Sequence, residues 1–243
     1  MGQAAIIASG LIPLYLICKR HKLSNAAVIL FSLCYVLLPS MANGCFFFLH
    51  ENKFLTPLIL WLAFALEKNK WIPSVIFTLL LLAVKEDAPV YAAVLGLYFI
   101  VSRRNISKGA LVFVLSIIYF ITVSYFMSKY GLGTMSYRYD NFIYDGSGSL
   151  FTVIKAVILN PIYTVHEAFD EEKIKFILQM LVPLAFMPLM IKKPSRIILL
   201  IPFILLNLMS DYTYQHNINF QYTYGSAAFL FYLMILNYQD MKP

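Results

Sequence analysis

The sequence predicts an all-α fold, a polytopic transmembrane helical bundle with about nine membrane segments, some of them short, and a further helix along the outer surface. Composition is the first observation. Hydrophobic residues make up 60% of the chain, charged residues 13%, and mean hydropathy is +0.74. A soluble domain has about 25% charged and about 45–50% apolar residues. The second observation is that long apolar stretches recur along all 243 residues, which excludes a soluble domain with one anchor. The third is that the linkers between those stretches alternate in charge. The whole of 1–243 therefore reads as a single integral membrane domain.

The apolar segments fall at about 3–18, 25–42, 54–66, 71–84, 88–102, 110–127, 174–191, 196–209 and 221–237. Basic linkers, KRHK (19–22), KNK (68–70), RRNISK (103–108) and KKPSR (192–196), alternate with GCFFFLHENK, KED, the long stretch 128–173 and SDYTYQHNINFQ. If the basic linkers and the C-terminal tail are cytoplasmic, 12 of the 19 Lys and Arg lie inside with only Glu67 and Asp240 as acids. The outside then holds 7 bases and 10 acids. Such asymmetry in short loops sets orientation. It places the N-terminus outside and the C-terminus in the cytoplasm, across a cell (inner or plasma) membrane. The first segment has its positive charges after the apolar run, unlike a secretory signal. An outside N-terminus without a cytoplasmic lead implies helices upstream of Met1.

The third to fifth segments run only about 13–15 residues, short of the roughly 20 needed to cross about 30 Å. Their outer ends should lie below the membrane surface or line a hydrated cavity. At those ends His50, Glu51 and Lys53 meet Lys85, Glu86 and Asp87. A continuous helix over 71–102 would hold three charges at mid-membrane, each costing about 2.5–3.5 kcal/mol. Asp87 is instead a good N-cap, and Pro89 suits a first helical turn. The KED stretch is then either a plain outer turn or part of a water-facing site within the membrane.

The outer stretch 128–173 carries Tyr137, Arg138, Tyr139 and Tyr144, residues suited to sugar rings or phosphates. Asp140 and Asp145 are a weak metal pair, and Gly146 to Ser149 form a flexible join. Residues 150–169 should lie along the surface, broken near Asn160-Pro161. The last outer loop, 211–225, is rich in Tyr, and an aromatic belt explains most of it. His216 shares the outer face with His50 and His166, but their spacing is no metal motif. Cys18, Cys34 and Cys45 have no paired spacing and read as small apolar side chains. Asn105-Ile-Ser107 matches a glycosylation acceptor but falls inside. No phosphate loop, HExxH, GxSxG or internal repeat is present.

Several stretches together resemble a family of prokaryotic multi-pass membrane proteins catalogued as the domain of unknown function numbered 2079. They are FFLHENKFLTPLILWLAFALEKNKW, LLLLAVKEDAPVYAAVLGLYFI, LNPIYTV, MLVPLAFMPLM, LLIPFILLNLMS and QHNINFQYTYGSAAFLFYL. The resemblance implies an inner-membrane protein similar in architecture to the GT-C-type glycosyltransferases, which use lipid-phosphate-linked sugars. It carries over to His50, Glu51, Lys53, Lys85, Glu86, Asp87, Gln221 and Tyr222. Family members normally begin with further helices and an acidic outer loop, so the resemblance implies that this chain is truncated at its start.

Three functions follow. In a glycosyltransferase-like enzyme, Glu86 or Asp87 would orient the acceptor, act as base or bind a divalent cation, the one cofactor left open. Lys53, Lys85 and Arg138 would hold a polyprenyl-phosphate sugar, and the outer tyrosines would stack on the sugar. His50, Glu51, His216, Gln221 and Tyr222 complete the candidate substrate site. A lipid or solute transporter is the second function; nearly charge-free inner helix halves disfavour it. A non-catalytic remnant or partner subunit is the third. Membrane lipids are the expected surroundings, and nothing points to nucleic acid.

Overall fold

Helix is the only regular structure among the described residues, and no strand is found there. The computed structural model describes residues 2–46, 50–131, 135–143 and 150–241. Tyr144, Asp145 and the Gly146–Ser149 join lie outside them.

Helices α1 (Gly2–Ser9) and α2 (Leu11–Arg20) run on through Gly10, which keeps helical angles (φ −66°, ψ −16°). Ser24 caps α3 (Asn25–Leu37), its hydroxyl accepting from the Ala27 N–H at 3.3 Å. Pro39 then forces the preceding Leu38 out of the helical region, and α4 (Pro39–Asn43) departs at a 46° bend. Next come α5 (Leu55–Glu67), α6 (Trp71–Leu82), α7 (Ala88–Val101) and α8 (Ile106–Tyr130). These match the third to sixth apolar segments closely, and the chain turns between α6 and α7 at KED. Helices α7 and α8 cross at two glycines. A β-carbon on Gly96 would lie 2.7 Å from the Gly109 carbonyl oxygen and 2.8 Å from the Phe113 nitrogen. Small residues of this kind let helix backbones touch in a membrane protein.

The stretch 150–168 folds into α9 (Leu150–Leu159) and α10 (Pro161–Ala168), broken at Asn160 (φ −125°, ψ 64°). Val153 and Ala156 are buried with Phe142 and Met209, whereas Ile158, Leu159, Ile162 and Val165 are exposed. This is the two-sided stretch with a Pro break that the sequence predicts.

Two other expectations fail. The segment 174–191 is α11 (Glu171–Leu181) followed by short 3₁₀ turns, with Ala185 and Phe186 left-handed at φ 50° and 53°. The segment 196–209 is a 3₁₀ stretch, Pro194–Leu200, followed by a π-helical stretch, Phe203–Leu208. Pro183, Pro188 and Pro202 each remove a backbone donor, so neither segment forms one straight helix.

Helix α12 (Tyr224–Met241) is the hub. Every residue from Tyr224 to Asn237 is buried, as a helix apolar on all sides should be. It packs on α2 and α5 and on the irregular 187–200 region. Judged by length and apolarity, Gly2–Arg20 and Ile106–Tyr130 reach membrane-spanning dimensions, and the bent pair α3–α4 makes a third. Helices α6 and α7 and the Pro194–Leu208 stretch are apolar but shorter. Between α5, α7 and α12 the filling is apolar: Leu60, Leu95, Phe229, Leu230 and Leu233 are all at or below 1% exposure.

The two ends of this bundle are polar in different ways. At one end the basic linkers converge. Arg20, His21 and Arg104 meet Glu67, Lys193 and Arg196 meet Asp240, and Lys108 lies over the Trp71 ring. At the other end are KED, His50 and the tyrosine-rich loop. The alternation read from the linkers is thus a real sorting of residues to opposite ends.

Candidate functional site

The α6–α7 turn fixes Lys85, Glu86 and Asp87 where two apolar helices stop. Asp87 sits at the N-cap position of α7, with Pro89 in the first turn, but its carboxylate makes no capping hydrogen bond. That expectation is corrected: the carboxylate turns instead to the Arg138 guanidinium, 3.8 Å away. Burial holds the Asp87 carboxyl above the usual range, with Lys85 pulling the other way.

Arg138 comes from the 3₁₀ stretch Met135–Phe142 and is 4% exposed. Its backbone carbonyl accepts from Asp211 N–H at 2.7 Å and from the Ser210 hydroxyl at 3.2 Å, locking it to the last loop. Its guanidinium carbon lies 5.9, 5.5 and 5.3 Å from the ring centres of Tyr137, Tyr212 and Tyr222. With the Gln215 amide turned to satisfy its neighbours, Gln215 Oε1 accepts from Arg138 at 2.7 Å and Nε2 donates to Leu206 O. Lys85 Nζ stands 4.9 Å over the Tyr222 ring, and the His50 ring lies edge-on to it at 6.3 Å.

Unsatisfied polar atoms gather here. Glu86 Oε1, Asp87 Oδ1, Arg138 Nε, Gln221 Oε1 and Asn52 Oδ1 are all buried without a protein hydrogen-bond partner. Buried polar groups are nearly always paired with protein or water. They are five of thirteen such side-chain atoms among the described residues; Glu67, Arg196 and Asp240 carry others at the opposite end.

The remaining candidates are arranged less uniformly. His50 caps the 3₁₀ turn Glu51–Phe54, accepting from Asn52 N–H at 3.3 Å, and lies 3.3 Å from the exposed Glu51 carboxylate. Its imidazole is held below the ordinary value by burial, against the pull of Glu51. Lys53 is buried and donates to Gln3 of α1, so its ammonium ties the N-terminal helix to this end. His216 belongs to a neighbouring group, 3.8 Å from Glu172 and beside Lys173 and Asp170. His166 is exposed and pairs with Glu167, so the three histidines do not converge. Among the described residues no group of three or more His, Cys, Asp or Glu could hold a metal.

Sequence reasoning missed the supporting residues. Tyr212, assigned to a belt, is part of the Arg138 enclosure. Ser226 of α12 donates to Asn207 Oδ1, and Asn207 Nδ2 donates to the carbonyls of Gln215 and Tyr222, which fixes the loop. Gly225 makes room for Tyr91, one turn after Asp87: a β-carbon there would fall 2.2 Å from the Tyr91 ring. The short spacing of Ser226 and Gly225 beside the polar loop was the available signal.

An all-helical membrane protein with an arginine–carboxylate pair walled by tyrosines at one end is the class that this fold and site define. Residues 1–242 match the family described as "Predicted membrane protein (DUF2079)", and the chain belongs to that family. No curated protein and no solved structure matches it.

Proposed function

We propose that the chain crosses the cell membrane about nine times, with the Asp87–Arg138 end outside. There it forms a glycosyltransferase-like site for a polyprenyl-phosphate sugar. The observation that carries this reading is the enclosed Arg138, its Nε unpaired, beside Lys85, Tyr222 and the unpaired oxygens of Glu86 and Asp87. Arginine and lysine hold phosphate by charge-assisted hydrogen bonds. Tyrosine faces suit sugar rings. A carboxylate with its pKa raised toward neutrality suits a general base.

In this reading the acceptor hydroxyl attacks the anomeric carbon, and its proton passes to Asp87 or Glu86. The bond from that carbon to the phosphate oxygen breaks, and polyprenyl phosphate leaves. Lys85 and Arg138 stabilise the charge that develops on the leaving group. His50, Glu51, Gln221 and Tyr222 border the pair and would position the acceptor. Lys53 and His216 act through the frame. The sealed apolar filling between the two ends favours this reading over a transport path.

The test is binding of a polyprenyl phosphate to the purified chain in lipid nanodiscs. Saturable binding weakened at least about tenfold in Arg138→Gln, a loss of about 1.4 kcal/mol, supports the site. Equal binding in that variant removes it. Binding without sugar transfer to any acceptor would point instead to a partner subunit.

A further inference from the structure

The opposite end of the bundle carries a polar cavity that the proposed reaction does not use. It has a volume of about 450 Å³ and is lined by Arg20, His21, Glu67, Phe99, Arg104 and Gln239. At its base the Glu67 side chain is 3% exposed. Glu67 Oε1 accepts from His21 Nε2 at 2.8 Å and from the Tyr232 hydroxyl at 2.7 Å. Arg20 Nε lies 3.1 Å from Oε2, and Arg104 reaches Oε1 only at 3.6 Å. The two guanidinium groups are 37% and 30% exposed. One carboxylate therefore faces two guanidiniums, and both His21 ring nitrogens also point at oxygens, Nδ1 at Gln239 Oε1. The cavity keeps an excess of positive charge, with part-exposed donors at its mouth. Lys19, Lys22, Lys68, Lys70 and Arg103 stand in the linkers that form this end.

We infer that the Arg20–Arg104 cavity is an anion site for a phosphate group. Its chemistry is that of forked guanidinium donors on a tetrahedral oxyanion. Glu67 holds the two arginines from below, and the Tyr232 hydroxyl donates to Glu67 Oε1. Two sources share this chemistry, an anionic lipid headgroup at the membrane surface and a free phosphate in solution, and the experiment separates them. Arg104 is the more distant partner of Glu67 and lies 6.0 Å over the Tyr98 ring at the cavity wall.

The experiment uses the full chain. Native mass spectrometry after exchange into mixed phosphatidylglycerol and phosphatidylcholine counts retained anionic lipid. Thermal unfolding in detergent against sodium phosphate, with sodium chloride at matched ionic strength, reads free phosphate. Arg104→Gln should reduce whichever signal appears at least about fivefold, Arg104→Lys should restore part of it, and Lys129→Gln, at the far end of α8, should leave it unchanged. Lipid retention that depends on Arg104 assigns a headgroup site; a saturable phosphate shift that depends on Arg104 assigns a free-phosphate site. No anionic preference in either assay, or equal signals in wild type and Arg104→Gln, overturns the inference. Its failure leaves the Asp87–Arg138 reading untouched, because that site lies at the other end.

Discussion

Asp87 and Arg138 lie 3.8 Å apart although 51 positions separate them, and their contact joins the start of α7 to the 3₁₀ stretch before the surface helices. Asp87 is drawn to this contact in place of capping its own helix. The pair fixes where the outer stretch sits on the bundle.

The pH dependence of Asp87 follows from its environment. Its folded pKa is raised, chiefly by burial, above an unfolded value of about 3.9. The folded state therefore resists ionisation, and stability is lost as pH rises from the unfolded value through the folded one. Asp87→Asn escapes that loss. Thermal unfolding in detergent should show the variant gaining relative to wild type between pH 4 and pH 7. A difference that is constant with pH would contradict the raised pKa.

The α7–α8 crossing has no room for a methyl group. Gly96→Ala should cost about 1–3 kcal/mol, the usual penalty for overpacking, because the new atom meets backbone at 2.7 and 2.8 Å. Gly2→Ala is the control, since nothing lies within 4 Å of its β-carbon. Equal unfolding temperatures for the two variants would refute the tight crossing.

Glu67 meets four cationic or polar groups at the basic end, Arg20, His21, Arg104 and Tyr232. Glu67→Gln leaves Arg20 and Arg104 without their buried partner and should cost about 1–2 kcal/mol, less than for a fully buried pair because the arginines are part-exposed. The loss should persist at high salt, because a side chain only 3% exposed is little screened. Chemical unfolding of both proteins at low and high salt measures it.

Orientation is read by chemistry from outside the cell. In a background lacking the three native cysteines, Glu51→Cys should react with a membrane-impermeant thiol reagent, since its side chain is 46% exposed. Lys68→Cys should react only after permeabilisation. The reverse pattern would invert the proposed topology.

Much of the helical plan is legible in the chain. Pro89 after Lys85-Glu86-Asp87, and the apolar runs on either side, announce the α6–α7 break, and Asn160-Pro161 announces the break in the surface helix. These are local effects of proline and charge on a helix, so sequence carries them. The irregular 182–208 region was less legible, because Pro183, Pro188 and Pro202 permit kinked helices as well as broken ones. Neighbouring α12 settled the matter: Asn237 donates to the Met187 and Pro188 carbonyls at 2.9 and 3.0 Å, satisfying backbone that a helix would have paired itself.

The site divides in the same manner. Residue types and linker charge alone sorted His50, Glu51, Lys85, Glu86, Asp87, Arg138, Gln221 and Tyr222 to one end, because in a membrane charge is confined to helix ends. Only the tertiary structure decided that Asp87 faces Arg138, that Tyr212 and Gln215 enclose it, and that Lys53 turns to Gln3. Those choices are made by contacts between residues far apart in the chain, whose geometry no local pattern encodes.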